Sequence, residues 1–132
     1  MYEVAIALLQ LPDHRIVLQR RDDDAPSSAG KLGFFGGHIE DGESPDDAIR
    51  RELKEETSLD VQALDFKYQE SFKAEVDTTH GREIRNYYLY KVAIKDDTFK
   101  VYEGVRSETY SVHEALGRDD LTRSAARVLK QL

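Results

Sequence analysis

Cysteine is absent from this sequence of 132 residues. Its absence excludes disulfide bonds, thiolate catalysis and cysteine-ligated zinc, and it is typical of proteins from a reducing compartment. The four histidines are scattered along the chain without the spacing of a metal site. From this composition we expect a cytoplasmic protein.

Long hydrophobic runs are also lacking near the start of the chain. The apolar stretch VAIALL at residues 4–9 is too short to span a bilayer. Neither a basic segment nor a small-residue cleavage site surrounds it, as a signal peptide requires. We therefore interpret it as a core strand and expect no membrane association.

Positive charge is scarce as well. Lysine and arginine number 19 against 26 aspartates and glutamates, which gives a formal net charge of -7. This balance disfavours nonspecific binding to nucleic acid phosphates, so we expect no nucleic acid partner. It still leaves room for a small basic pocket or for a bound cation that offsets the acid.

The residue pattern predicts one compact domain over residues 1–132, since the length and a hydrophobic content of 39% suffice for a core and no repeat or linker interrupts the chain. Branched and aromatic residues predict strands at 2–10, 15–20, 32–39, 61–76 and 83–94. Helical patterns begin after Ser44, a plausible N-cap followed by Pro45, and at residue 121. Interleaved elements of this kind indicate an α/β fold of the α+β type, a mixed sheet with helices on both faces.

The first predicted helix crowds three glutamates, Glu52, Glu55 and Glu56, into five residues, although like charges three and four apart repel. At about 100° per residue, Glu56 lies about 40° from Glu52, and Glu55 lies about 60° away on the other side. This acidic stripe borders the apolar stripe of Ile49 and Leu53 instead of the solvent face. A divalent cation makes such crowding favourable, and carboxylates without histidine or cysteine suit Mg²⁺ or Mn²⁺ better than zinc.

The same helix belongs to a longer motif. Gly37 is followed after five residues by Glu43 and after seven more by the sequence RELKEE, residues 51–56. This pattern resembles the Nudix box of the Nudix hydrolases. Two positions depart from it, because Ser58 stands where the family usually has glycine, and Phe35 stands where many members have proline before the paired glycines. The order of strands and helices also resembles the Nudix αβα sandwich.

The resemblance implies roles for the residues of the box. The glycine matching Gly37 offers its carbonyl to a metal, and the glutamates matching Glu52, Glu55 and Glu56 bind divalent cations or activate water. Residues matching Arg51 and Glu43 pair with one another or with neighbouring carboxylates and orient the catalytic glutamates. The implied reaction is metal-dependent hydrolysis of the diphosphate in a nucleoside diphosphate linked to another group.

Outside the box the predictions rest on fewer signals. Arg20 and Arg21 end the second predicted strand, where similar enzymes place a phosphate-binding arginine, and we favour Arg21. Lys31 either faces the same phosphates or is solvated. Glu103 resembles an acid that many members place on a late loop to bind metal or accept a proton, and the alternative is an exposed turn residue.

Aromatic side chains are candidates for stacking on a base. The adjacent pairs are Phe34 with Phe35 and Tyr87 with Tyr88. Strict alternation along a strand lets only one member of each pair face a ligand, and strand aromatics usually belong to the core. We include Phe35 among the candidate substrate-binding residues.

Three functional classes compete. The first is a pyrophosphohydrolase that uses Mg²⁺, with Mn²⁺ as an alternative, and acts on a small nucleotide as a monomer or homodimer. The second is a catalytically inactive Nudix-like binding or sensor domain, which tends to lose the box glutamates that this chain keeps. The third is isopentenyl diphosphate isomerase, which has a related fold. This class is identified by a catalytic cysteine, and this chain has no cysteine. The substrate stays open among nucleoside triphosphates, nucleotide sugars, ADP-ribose and dinucleoside polyphosphates.

Overall fold

A computed structural model describes all 132 residues of the chain. It contains seven strands, three α-helices and one 3₁₀ turn. The strands are β1 (Tyr2–Gln10), β2 (Ile16–Arg20), β3 (Leu32–Gly33), β4 (Phe35–His38), β5 (Phe66–Thr78), β6 (Gly81–Ala93) and β7 (Arg106–Tyr110). The helices are α1 (Pro45–Glu56), α2 (Val112–Leu116) and α3 (Arg123–Leu129), and the 3₁₀ turn covers Val61–Ala63. No helix is both long enough and apolar enough to cross a membrane.

The sheet is mixed, as predicted. Its main path runs β3-β2-β1-β6-β5, while β4 pairs with β1 and β7 pairs with β2. The central pair, β1 and β6, is parallel and begins with Tyr2 opposite Arg85. Two hairpins join consecutive predicted strands, since β1 pairs with β2 and β5 pairs with β6 in antiparallel register.

Strand β1 separates two apolar clusters because its side chains alternate between the faces of the sheet. Val4, Ile6 and Leu8 join the cluster that contains the buried residues of α2 and α3. The intervening residues of β1 join the other cluster, which contains Ile49 and Leu53 of α1. Helices therefore cover both faces, and the predicted fold class is confirmed.

Helix α1 begins where the sequence predicts. The Ser44 hydroxyl accepts a hydrogen bond from the Asp47 backbone N–H at 3.1 Å, and Pro45 occupies the first turn. The helix ends without the expected glycine. Instead, the Thr57 backbone N–H and side-chain hydroxyl both donate to the Leu53 carbonyl, at 3.0 and 2.7 Å.

Three details differ from the sequence prediction. The predicted strand at 32–39 is divided into β3 and β4, which pair with β2 and β1 respectively. Gly36 lies close to the division and has φ +144°, and a Cβ atom there would lie 2.0 Å from the Ala5 carbonyl oxygen. Residues 61–63 form a 3₁₀ turn ahead of β5, and the short elements β7 and α2 were not predicted.

Candidate active site

A cavity of about 370 Å³ opens beside β4 and the C-terminal half of α1. Its wall contains Gly36 and Gly37 of β4 and the carboxylates of Glu52 and Glu56 on α1. Arg21, which follows β2, and parts of β1, β5, β6 and α3 complete it. The cavity thus gathers residues that are far apart in the sequence. One side is acidic, and cationic and aromatic side chains form much of the rest.

The acidic side consists of Glu52, Glu56 and Glu103, which we call the carboxylate trio. Each residue offers one carboxylate oxygen, and these oxygens all lie within 4.8 Å of one another. Glu52 and Glu56 are one helical turn apart on α1, so they project from the same face. Glu103 arrives from the segment between β6 and β7. The structure therefore brings together three of the four predicted acids.

The two glycines of β4 allow the helix carboxylates to approach the backbone closely. The Gly36 N–H donates to Glu56 Oε1 at 3.0 Å. A Cβ atom at position 37 would lie 2.5 Å from the Glu52 carboxyl carbon, which is closer than real Cβ contacts come. Any side chain at Gly37 would displace Glu52, so this glycine is needed for the geometry of the trio whether or not its carbonyl binds an ion.

Crowding and burial disfavour the charged forms of these carboxylates. Glu56 is only 3% exposed. Burial, followed by the nearby charges of Glu103 and Glu52, raises the pKa of Glu56 to about 9. Burial also raises the pKa of Glu52, although Arg51 opposes the shift. Two unit charges 4.8 Å apart repel by roughly 3.5 kcal/mol at an effective dielectric constant of about 20.

Arg51 holds Glu52 from outside the cavity. Its guanidinium donates to both carboxylate oxygens of Glu43, at 2.8 and 2.9 Å, and to Glu52 Oε1 at 2.9 Å. It also donates to the His38 carbonyl at 3.0 Å. Hydrogen bonding to Arg51 lowers the pKa of Glu43 to about 2. The pairing of Arg51 with Glu43 that the resemblance implied is present.

Glu55 lies apart from the trio. Its side chain is 57% exposed and faces Arg51 at 3.4 Å. The angular prediction placed Glu55 on the far border of the acidic stripe, and in the structure that border faces solvent. Its predicted part in metal binding stays a prediction.

Arg21 faces the trio across the cavity. Its guanidinium donates to the Ser27 carbonyl at 2.9 Å and to the Ser27 hydroxyl at 3.2 Å, and it forms no ion pair. Burial lowers the pKa of Arg21, while the charges of Glu103 and Glu56 favour its charged form. A partly buried guanidinium without an anionic partner is well suited to receive a phosphate oxygen.

Three other predicted substrate-binding residues lie elsewhere, and the structure does not support their assignment. Arg20 is engaged by Glu108 at 2.8 and 3.0 Å and by Asp120 at 2.9 Å. Phe35 is fully buried in the α1 cluster because its side chain points to the opposite side of the sheet segment from Phe34. Lys31 is absent from the cavity wall.

The aromatic pairs alternate as predicted, since Phe34 and Tyr87 line the cavity and their neighbours Phe35 and Tyr88 do not. Tyr2 and Arg85 also line the cavity, although the sequence did not predict them. The Arg85 guanidinium carbon lies 4.2 Å from the centre of the Tyr2 ring. The only sequence signal was alternation on β6, which places Arg85 on the same side as Tyr87.

The comparison with known protein families agrees with this geometry. A profile of the NUDIX domain matches residues 1–132. The chain belongs to the NUDIX family. Among curated proteins, the 8-oxo-dGTP diphosphatase of Escherichia coli K12 is 40% identical over 60 residues, which cover 46% of each protein. The aligned region thus spans less than half the length of this curated relative.

Solved structures of NUDIX proteins share the fold over nearly the whole chain. The MutT protein from Methanosarcina mazei Go1 has a TM-score of 0.80 at 20% identity, covering 98% of this chain and 90% of that one. The dihydroneopterin triphosphate pyrophosphohydrolase of E. coli has a TM-score of 0.79 at 20% identity, covering 98% and 93%. At this identity the similarity establishes the fold.

The residues of this NUDIX chain fit a divalent cation. The carboxylate trio supplies only oxygen donors, which hard ions such as Mg²⁺ and Mn²⁺ prefer. The buried Glu56 carboxyl has one backbone hydrogen bond and two acidic neighbours, so its charge lacks compensation from the protein alone. A cation between the carboxylates would supply that compensation.

Proposed function

We propose that the protein is a pyrophosphohydrolase that requires a divalent cation, Mg²⁺ or Mn²⁺, and cleaves the diphosphate of a nucleoside diphosphate linked to another group. The observation that carries the proposal is the placement of the carboxylate trio opposite the unpaired Arg21 in one cavity. This arrangement suits a phosphoric anhydride, because a cation held by the trio would bind its oxygens on one side and the Arg21 guanidinium would bind them on the other.

The trio would hold the cation, together with the Gly37 carbonyl and Glu55 that the resemblance adds. When bound, such an ion offsets the charge of the diphosphate and promotes attack by water on phosphorus. Arg21 binds a phosphate oxygen of the substrate through its guanidinium. A carboxylate oxygen of the trio that is not engaged by the ion accepts the proton of the attacking water. Arg51 and Glu43 keep Glu52 oriented.

The group linked to the diphosphate would lie against the remaining wall. Tyr2 and Phe34 offer aromatic surface there, and Arg85 and Tyr87 offer hydrogen-bond donors. Such a wall suits a nucleobase, which needs a flat partner and a few polar contacts. We would test nucleoside and pterin triphosphates first, because the chain is similar to an 8-oxo-dGTP diphosphatase and to a dihydroneopterin triphosphate pyrophosphohydrolase.

The test is a screen of triphosphates, nucleotide sugars, ADP-ribose and dinucleoside polyphosphates with Mg²⁺ or Mn²⁺, in which the products are identified by ion-exchange chromatography. We expect a nucleoside monophosphate, or its pterin counterpart, and a second phosphorylated product, with no turnover in chelator. Glu56→Gln should be inactive, and Lys54→Gln on the exposed face of α1 is the matched control. Metal-dependent binding without product for every compound would instead support a sensor domain.

A further inference from the structure

Glu103 poses a positional problem. It lies outside any helix or strand, in the segment between β6 and β7, and its side chain is exposed. Exposed loops are usually mobile. Yet its carboxylate must stay within 4.8 Å of Glu52 and Glu56 to complete the trio. Some other part of the protein has to fix this segment.

Gln19 fixes it from the side of β2. Its side chain is 3% exposed, and the three preceding residues of the strand are fully buried and apolar. Its Nε2 donates to the Glu103 carbonyl at 2.9 Å across 84 residues of sequence. An amide buried in an apolar strand is costly unless it is hydrogen-bonded. The contact with Glu103 supplies this hydrogen bond.

The backbone after Glu103 lies directly against the same strand. The Val105 N–H donates to the Arg20 carbonyl at 2.9 Å. Gly104 has φ +85°, and a Cβ atom there would lie 2.8 Å from the Arg20 carbonyl oxygen and 3.0 Å from Gln19 Cγ. The close approach of the segment to Gln19 therefore requires glycine at position 104.

Ser58 fixes the segment from the other side, at the end of α1. Its N–H donates to the Lys100 carbonyl at 2.9 Å, and its hydroxyl accepts from the Lys100 N–H at 2.7 Å. The Tyr102 N–H donates to the Glu56 carbonyl at 2.6 Å. Glycine at position 58 would keep the first of these bonds and lose the second, so the departure from the box motif adds a contact to the Glu103 segment.

We propose that Gln19 and Ser58 are positioning residues that hold the Glu103 carboxylate in the trio. The inference rests on the proposed function only for the role of Glu103 as a ligand or proton acceptor. Gln19 acts through the backbone carbonyl of Glu103 itself. Ser58 acts through Lys100, which lies three residues before Glu103 in the sequence. The two contacts therefore fix the segment at Glu103 itself and three residues before it.

The test is a double-mutant cycle between Gln19→Met and Glu103→Gln. Mn²⁺ binding to the metal-free protein, followed by electron paramagnetic resonance, is the readout independent of turnover. We expect Gln19→Met to weaken Mn²⁺ binding about tenfold and to lower kcat about tenfold with KM within twofold, because it perturbs a group that acts in catalysis. In the Glu103→Gln background it should change neither. Equal effects in both backgrounds would overturn the proposal.

Val17→Ala is the matched control, since Val17 is fully buried on β2 and its apolar side chain cannot hydrogen-bond to the Glu103 segment. It should lower the melting temperature without weakening Mn²⁺ binding. If Gln19→Met does not fold, Ser58→Gly provides the test, with an expected loss of about threefold in Mn²⁺ affinity that again disappears in the Glu103→Gln background. Wild-type affinity in Ser58→Gly and Gln19→Met would overturn the inference.

The outcomes separate this inference from the proposed function. A wild-type protein that binds Mn²⁺ through Glu103 but hydrolyses no nucleotide would refute the activity and leave the positioning roles supported by the binding cycle. A protein that hydrolyses nucleotides, and in which Glu103→Gln changes neither Mn²⁺ affinity nor kcat, would refute the positioning roles and leave the activity supported.

Discussion

Replacing Glu56 by glutamine tests whether its buried carboxyl carries the proposed electrostatic cost in the metal-free protein. Glutamine keeps an acceptor oxygen for the Gly36 N–H, which now bonds to Glu56 Oε1 at 3.0 Å. It removes the ionisable group and little else. The substitution therefore isolates the effect of the Glu56 proton on stability.

The expected magnitude follows from the pKa of Glu56, which is about 9 in the folded protein against an ordinary value of 4.5. Between these two values the folded protein holds one proton that the unfolded chain has lost. Stability must therefore fall as the pH rises, by about 1.4 kcal/mol per pH unit. Between pH 5.5 and 7.5, metal-free wild type should lose roughly 2.5 kcal/mol relative to Glu56→Gln.

The assay is urea unfolding of both proteins in chelator at pH 5.5, 6.5 and 7.5. Their stability difference should change across this series in favour of the variant. Adding Mg²⁺ at pH 7.5 should stabilise the wild type and leave Glu56→Gln nearly unaffected, because binding to the native state raises stability by mass action. Parallel pH curves for the two proteins in chelator would refute the electrostatic reasoning.

Three further predictions use other parts of the structure. Glu52→Gln should lower turnover by at least about a hundredfold in a steady-state assay while exposed Lys54→Gln changes little, and similar small effects in both folded variants would contradict the metal face. Arg21→Ala should raise KM about tenfold with little change in kcat, since a phosphate contact made in ground and transition states contributes uniform binding; an unchanged KM for every substrate would assign the phosphate elsewhere. Hydrogen bonding to Arg20 lowers the pKa of Glu108 to about 2, so its stabilising effect is complete above the ordinary value of 4.5 and is lost as the pH falls toward 2. Glu108→Gln should accordingly lower the melting temperature by about 5 °C at pH 6, with a deficit that shrinks below pH 4.5 in a thermal scan, and a pH-independent deficit would contradict this.

The sequence predicted the parts of the fold that local chemistry determines. Ser44 and Pro45 define the start of α1, and the periodicity of its apolar residues predicts which face packs on the sheet. The short elements β7 and α2 escaped prediction because five-residue segments carry little periodicity. The division between β3 and β4 depends on which neighbours each half pairs with, and pairing is a tertiary property.

The residues of the candidate site also differ in how far the sequence alone could predict them. Glu52 and Glu56 could be predicted because helical spacing alone places them together. Glu103 could be predicted only through the resemblance, since no local rule brings a loop residue to a helix nearly fifty residues away. Arg20 and Arg21 are adjacent and chemically identical, and only the positions of Glu108 and Asp120 show that Arg20 already has anionic partners.

The wall that would meet the group beyond the diphosphate depends on strand register. Tyr2 lies opposite Arg85 in the parallel pairing of β1 with β6, and their contact brings an aromatic ring and a cation to the same end of the cavity. A shift of one residue in that register would turn the β6 side chains to the other face and bring Asn86 in place of Arg85. The sequence motif around α1 contains no information on this register. Two chains can therefore share the same box motif while different side chains contact the rest of the substrate. Substrate selectivity then depends on the residues that the pairing of β1 with β6 brings into the cavity wall.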